Sequence, residues 1–149
     1  MKKLLSICGL LIMLSVLLVS CKKKDDVKVA KRDILTGSWS ETSQKPYNRI
    51  LHFETDGKFS MEVLDNTGYA NLTLKGKYVI EGDSLTVTLL ESVEQQGGGK
   101  EIKTLINNKI FEKGTFNVKD FVLTLNYITY PADAPVLTQA KYNKILKID

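Results

Sequence analysis

From Gly37 onward, apolar and polar side chains alternate with a period of two, and this pattern limits the possible folds more than any other feature of the chain. Phe59, Met61 and Val63 alternate with Lys58, Ser60 and Glu62. Leu72, Leu74, Gly76, Tyr78 and Ile80 alternate with Thr73, Lys75, Lys77 and Glu81, and only Val79 breaks the polar set. Leu85, Val87 and Leu89 alternate with Ser84, Thr86 and Thr88, and Phe121, Leu123, Leu125 and Tyr127 with Thr124 and Asn126. Successive side chains of a strand point to opposite faces, so each run presents one apolar and one mostly polar face. That is the signature of antiparallel sheet with one side wet. The only helical candidate is short, Lys31–Thr36, ended by Gly37.

Turn residues separate the runs. Asp56-Gly57 lies between Ile50–Thr55 and Lys58–Leu64, and Asp-Gly suits the positive φ angles of a type I′ hairpin turn. Asp65-Asn66-Thr67-Gly68 makes the next reversal, Glu81-Gly82-Asp83 separates Leu72–Ile80 from Leu85–Leu90, and Lys119-Asp120 separates Thr115–Val118 from Phe121–Ile128. Gln95-Gln96-Gly97-Gly98-Gly99 reads as a loop without the spacing of a phosphate-binding glycine motif. Thr129–Gln139, with Pro131 and Pro135, reads as the longest irregular connection. Consecutive strands are expected to be neighbours. A sheet of about eight such strands has two edges unless it closes on itself. The expected fold is therefore all-β: an antiparallel up-and-down β-barrel formed by residues 34–149 as one domain.

Here the residues reach a resemblance. Leu35-Thr36-Gly37-Ser38-Trp39 resembles the Gly-X-Trp opening of lipocalins and lipocalin-like bacterial lipoproteins. "LHFETDGKF" followed by "GKYVIEGDSLTVTL" is similar to the hairpin pattern of the lipocalin-like group, and Tyr142-Asn143-Lys144-Ile145 to its closing strand. The resemblance implies that Trp39 plugs the closed end of the barrel, with a late basic residue, Lys144 or Lys147, packed over it. It also favours a cavity for a small hydrophobic ligand, lined by Phe53, Phe59, Met61, Val63, Tyr78, Leu123, Leu125 and Tyr127. The pattern alone leaves two alternatives open, a filled core or a hollow mouth. Met adapts to irregular ligands, and Tyr adds a polar handle.

The first 33 residues are of a different kind. Met1-Lys2-Lys3 precedes an apolar stretch, Leu4 to Val19, as in a secretory signal peptide. Length alone does not separate this stretch from a membrane anchor, which needs roughly 17–25 apolar residues. Leu18-Val19-Ser20-Cys21 resembles the lipobox of bacterial lipoproteins, which implies cleavage before Cys21 and acylation of its thiol and new amine. Two or more acyl chains anchor stably where one does not. Residues 1–20 are then a signal peptide and residues 21–33 a lipidated flexible tether. Lys22 after the cysteine resembles lipoproteins sent to an outer membrane, and Lys-Lys-Asp-Asp resembles the signal of surface-displayed lipoproteins in one group of Gram-negative bacteria. The expected location is the bacterial cell envelope, anchored to the outer membrane and either periplasmic or surface-exposed.

Charge and composition narrow the function. The chain has a net charge of +4, but 8 of its 21 basic and 3 of its 17 acidic residues lie in residues 1–33, leaving 13 and 14 in the remainder. The basicity belongs to the leader and tether, so nucleic acid is not an expected partner. Cys8 falls in the leader and Cys21 carries the lipid, so the domain has no disulfide to staple it. His52 is the only histidine, which removes Cys–His pairs and multi-histidine metal sites. In "ILHFE" it falls opposite Leu51 and Phe53, and so reads as a solvent-facing strand residue. Asp56-Gly57 and Asp83 read as turn chemistry rather than calcium ligands. No catalytic residue, metal or cofactor is expected. The expected role is non-catalytic binding of a small hydrophobic ligand or lipid. The alternative is a structural or interaction module with a filled barrel, such as an accessory subunit of an envelope complex.

Overall fold

The structure, a computed structural model, describes residues 34–146 except 43–46, 66, 68, 97–98, 132–133 and the side chain of Lys113. The expected signal peptide, Cys21, the tether and Lys147 lie outside the described residues. Of the short helix expected over Lys31–Thr36, Ile34 and Leu35 are helical, Thr36 is neither helix nor strand, and residues 31–33 lie outside the described residues. Among the described residues no helix is long and apolar enough to cross a membrane.

Eight antiparallel strands close into a barrel in sequence order: β1 (Gly37–Glu41), β2 (Asn48–Phe53), β3 (Lys58–Leu64), β4 (Ala70–Glu81), β5 (Ser84–Gln96), β6 (Lys100–Lys119), β7 (Val122–Thr129) and β8 (Val136–Ile145). Closure comes from β1 pairing with β8, where Trp39 meets Lys144 and Glu41 meets Tyr142. This eight-strand barrel is consistent with a lipocalin-like fold. The alternation read from the sequence sets which side chains enter. Phe59 and Met61 on β3, Tyr78 and Ile80 on β4, Leu85, Val87 and Leu89 on β5, and Leu123, Leu125 and Tyr127 on β7 are all buried.

Several boundaries differ from expectation. The β2–β3 connection is not a two-residue Asp56-Gly57 turn. Phe53 pairs with Phe59, and a three-residue loop, Thr55-Asp56-Gly57, closes through bonds from Glu54 N to Lys58 O and from Gly57 N to Glu54 O, each 3.0 Å. A two-residue loop would set Phe53 against Ser60, an inward residue against an outward one, and strand pairing does not allow that. Phe121 does not begin the inner face of β7. Asp120 and Phe121 form the β6–β7 turn at φ 51° and 61°, and Phe121 is 64% exposed. A two-residue turn here keeps Val118 opposite Leu123, both on the inner face. β5 runs on through Gln95 and Gln96, and β8 starts at Val136, which confines the proline-containing connection to residues 130–135.

Where β4 crosses β5 the backbones close together. A Cβ on Gly76 would lie 2.0 Å from the Thr88 carbonyl oxygen, so only glycine fits this contact, where the register shifts between Lys75 and Gly76. The wall is not uniformly closed. β6 pairs with β7 only from Thr115–Asn126 to Lys119–Val122. Among the described residues, the first part of β6 has β5 as its strand neighbour, and Tyr127–Thr129 has β8. The barrel is thus zipped at one end and parted between β6 and β7 at the other.

Candidate functional site at the barrel mouth

The zipped end is solid. Trp39, Leu35, Leu51, Leu85 and Leu123 are fully buried, and the Trp39 indole donates a 2.7 Å hydrogen bond to the Leu35 carbonyl. Lys144 Nζ stands 5.2 Å from the Trp39 ring centroid, within cation–π range. Gly37, at φ 122°, leaves room for that lysine, since a Cβ there would lie 3.3 Å from Lys144 Cε. Phe53 packs against Phe59 and Tyr78 at centroid distances of 5.2 and 5.1 Å. The Tyr78 hydroxyl donates to the Glu54 carbonyl at 2.8 Å, which ties the β2–β3 loop to β4.

At the parted end the barrel holds half-open space. Two adjoining cavities of about 780 and 440 Å³ share Arg49, Tyr127 and Thr129 in their walls. The larger has an apolar lining from Met61, Ile110, Phe111, Ile128, Tyr130 and Leu137. The smaller has Val63 together with the hydroxyl-bearing Tyr47, Thr129 and Thr138. Phe111 reaches its place through a bulge: Val87 pairs with Ile110 and Leu85 with Gly114, so residues 111–113 stand opposite the single Thr86. Phe111 takes φ 52° there, and its ring meets Tyr127 edge-on at 4.8 Å. Bulges of this kind re-aim a side chain beside a site.

Of the residues proposed as cavity-lining, Met61 and Tyr127 border the larger space, and Val63 and Tyr127 the smaller. Phe53, Phe59, Tyr78, Leu123 and Leu125 lie in the packed core below.

The floor of the mouth holds a charge pair that the sequence reading did not single out. Arg49 Nε donates to Glu41 Oε2 at 2.8 Å, and Arg49 Nη2 to Glu41 Oε1 at 2.6 Å. The Glu41 side chain is 2% exposed and that of Arg49 26%. Their hydrogen bond holds the Arg49 pKa above its ordinary value, and bidentate pairing of this kind is the strongest form of ion pair. The Tyr142 hydroxyl is buried and has no hydrogen-bond partner among the described residues. Its burial raises its pKa, with Arg49, Glu41 and Tyr127 all within electrostatic reach, and the phenol is neutral. The signal for the pair was present: Glu41 shares parity with Trp39, and Arg49 with Leu51 and Phe53, so both were bound to point inward.

His52 lies half-buried on the outer face. Its Nδ1 is 2.8 Å from Ser38 Oγ, and its Nε2 is 3.4 Å from Glu62 Oε1. This row has the order of a Ser–His–acid relay, but it runs across three paired strands and borders neither cavity. The ladder occupies the backbone N–H groups that would have to stabilise an oxyanion. No group of three or more metal-ligating side chains occurs among the described residues. Comparisons with protein-family models, with curated proteins and with solved structures give no match.

Proposed function

We propose that this chain is a lipocalin-like lipoprotein, anchored to the bacterial outer membrane through acylated Cys21, that binds a small hydrophobic ligand or lipid without catalysis. The observation that carries the reading is the larger mouth cavity, about 780 Å³ and lined by Met61, Ile110, Phe111 and Tyr127. Small-molecule sites typically occupy about 300–1,000 Å³ with a largely apolar wall. The domain is nearly neutral, so affinity comes from burying methylenes, each worth about 0.8 kcal/mol, and depends little on salt.

The test is displacement of the dye Nile red by straight-chain compounds of increasing length. Affinity rises with length until the cavity is full, and Met61→Trp weakens binding while the circular dichroism spectrum stays that of β structure. No displacement at any length rejects the reading. The second reading, an interaction module, draws on the parted wall. Among the described residues the upper edge of β6 has no strand partner on its β7 side, Leu105 beside it is 87% exposed, and open strand edges accept a further strand. For the anchor, Cys21→Ala is expected to abolish membrane retention in detergent partitioning.

A further inference from the structure

We propose that the mouth selects ligands whose polar end is uncharged: an apolar chain ending in a hydroxyl, amide or ester oxygen rather than an ionised carboxylate. This rests on the ligand-binding reading and names the ligand class of the same site.

The first observation is charge balance. The larger cavity is lined by Arg49, Lys109 and Glu112, and the smaller by Arg49 and Glu41. Each of these charges has its opposite beside it: Arg49 on Glu41 at 2.6 Å and Lys109 on Glu112 at 3.6 Å. Among the described residues that line the chamber, the two cations and two anions leave no net charge. An unpaired arginine on an apolar wall would draw a carboxylate, because its planar fork matches both oxygens. Here Nε and Nη2 of that fork already hold Glu41. A ligand carboxylate reaching Arg49 would sit beside a second, buried carboxylate, and like charges at such range disfavour ionisation. It would also leave water without meeting a net cation, which is costly.

The second observation is what the chamber offers instead. No described residue accepts a hydrogen bond from Arg49 Nη1, and Arg49 lines both cavities. The smaller cavity adds the hydroxyls of Tyr47, Tyr127, Thr129 and Thr138, the two threonine oxygens lying 2.8 Å apart. Hydroxyls donate and accept without charge. An uncharged oxygen placed there gains donors without opposing Glu41, while the chain lies along Met61, Ile110, Phe111 and Leu137.

The test uses the purified full-length protein at pH 8, with Nile red displaced by three ligands of equal chain length: hexadecanol, hexadecanamide and hexadecanoate. In the wild type the two neutral ligands are expected to bind about tenfold tighter than the acid, the factor that corresponds to about 1.4 kcal/mol. Glu41→Gln, which frees Arg49, is expected to close or reverse that gap. Glu112→Gln removes the anion of an exposed pair and leaves the core untouched. It is expected to improve hexadecanoate alone, by roughly two- to fivefold, the scale of a surface charge contact. If Glu41→Gln fails to fold by circular dichroism, Glu112→Gln decides. Hexadecanoate binding as tightly as the neutral ligands in the wild type overturns the proposal, as does an unchanged ratio in the folded variants. Failure of all three ligands to displace the dye rejects ligand binding itself, a result distinct from a preference for the acid.

Discussion

At the zipped end of the barrel, β6 and β7 pair in register from Thr115–Asn126 to the turn, and Trp39, Leu51, Leu85, Leu123 and Leu125 are fully or nearly fully buried, with Phe116 and Val118 packed partly buried against them. At the other end the same two strands part, and the half-open space between them is bordered by Arg49, Glu41, Tyr127 and hydroxyl groups. One end has continuous backbone pairing and an interior of aromatic and aliphatic groups in contact. The other gives up part of the ladder and keeps a buried ion pair. Burial of Leu, Phe and Trp stabilises the molecule by roughly 1.5–3 kcal/mol per large side chain, whereas a buried ion pair roughly balances its own desolvation. Stability should therefore concentrate at the zipped end, and binding at the parted end.

The largest effect is expected where packing is densest. Trp39→Ala should cost about 3–5 kcal/mol, since it empties the closed end and strips the Leu35 carbonyl of its donor. Urea denaturation followed by circular dichroism measures it, and a loss under about 1 kcal/mol would break the comparison.

At the mouth, Arg49→Ala should cost about 3 kcal/mol, because the buried Glu41 carboxylate loses the bidentate guanidinium that offsets its desolvation. Replacing both residues with apolar ones, Arg49→Met with Glu41→Leu, should cost much less. Thermal denaturation of the single and double variants at pH 7 separates the cost of a buried carboxylate that has lost Arg49 from any net support by the pair. Equal losses would mean that the pair itself holds the mouth together.

The next effect has the opposite sign. Phe121 is exposed and held at φ 61°, a region where a bulky side chain is strained. Phe121→Gly should raise stability by about 0.5–1 kcal/mol, because Asp-Gly is favoured in a type I′ turn. A measurable fall in the denaturation midpoint would show that the ring contributes contacts that outweigh the strain.

The smallest effect lies in the β3–β4 turn beside the mouth. The Asp65 carboxylate accepts bonds from Thr67 Oγ1 at 2.6 Å, Tyr69 N at 3.0 Å and Asn71 Nδ2 at 3.1 Å. The Thr67 hydroxyl, followed by the Tyr69 amide, lowers its pKa to about 2. The folded value lies below the unfolded one of about 3.9. Its stabilisation is therefore full above that pH and fades as the pH falls toward 2. An NMR titration of the side chain, with amide exchange at Tyr69, should show the turn loosening only in that window. Loosening already at pH 5 would remove Asp65 as its cause.

Much of this was legible in the chain. Period-two alternation identified the inner residues on β3, β4, β5 and β7, and short turn-separated runs implied closure into a barrel. Hairpin geometry was less legible, because Asp56-Gly57 carries a two-residue turn signal that the parity of Phe53 and Phe59 overrules. The mouth was the least legible. Glu41 and Arg49 look like surface charges when each is taken alone, and five of the eight residues proposed to line a cavity pack beneath it instead.

The sequence by itself determined which side of each strand faces inward, because side-chain direction alternates with every peptide unit and needs no distant contact. It also determined, through residue types at the turns, that the strands follow one another as neighbours. Only the tertiary structure decided where the interior is full and where it is hollow. That depends on the Phe111 bulge, the Gly76 crossing and the residue at which β6 leaves β7, all matters of register between strands distant in the chain. It also decided that Glu41 and Arg49 meet. Each strand had turned its charge inward independently, and pairing β1 with β2 brought the two within hydrogen-bonding distance.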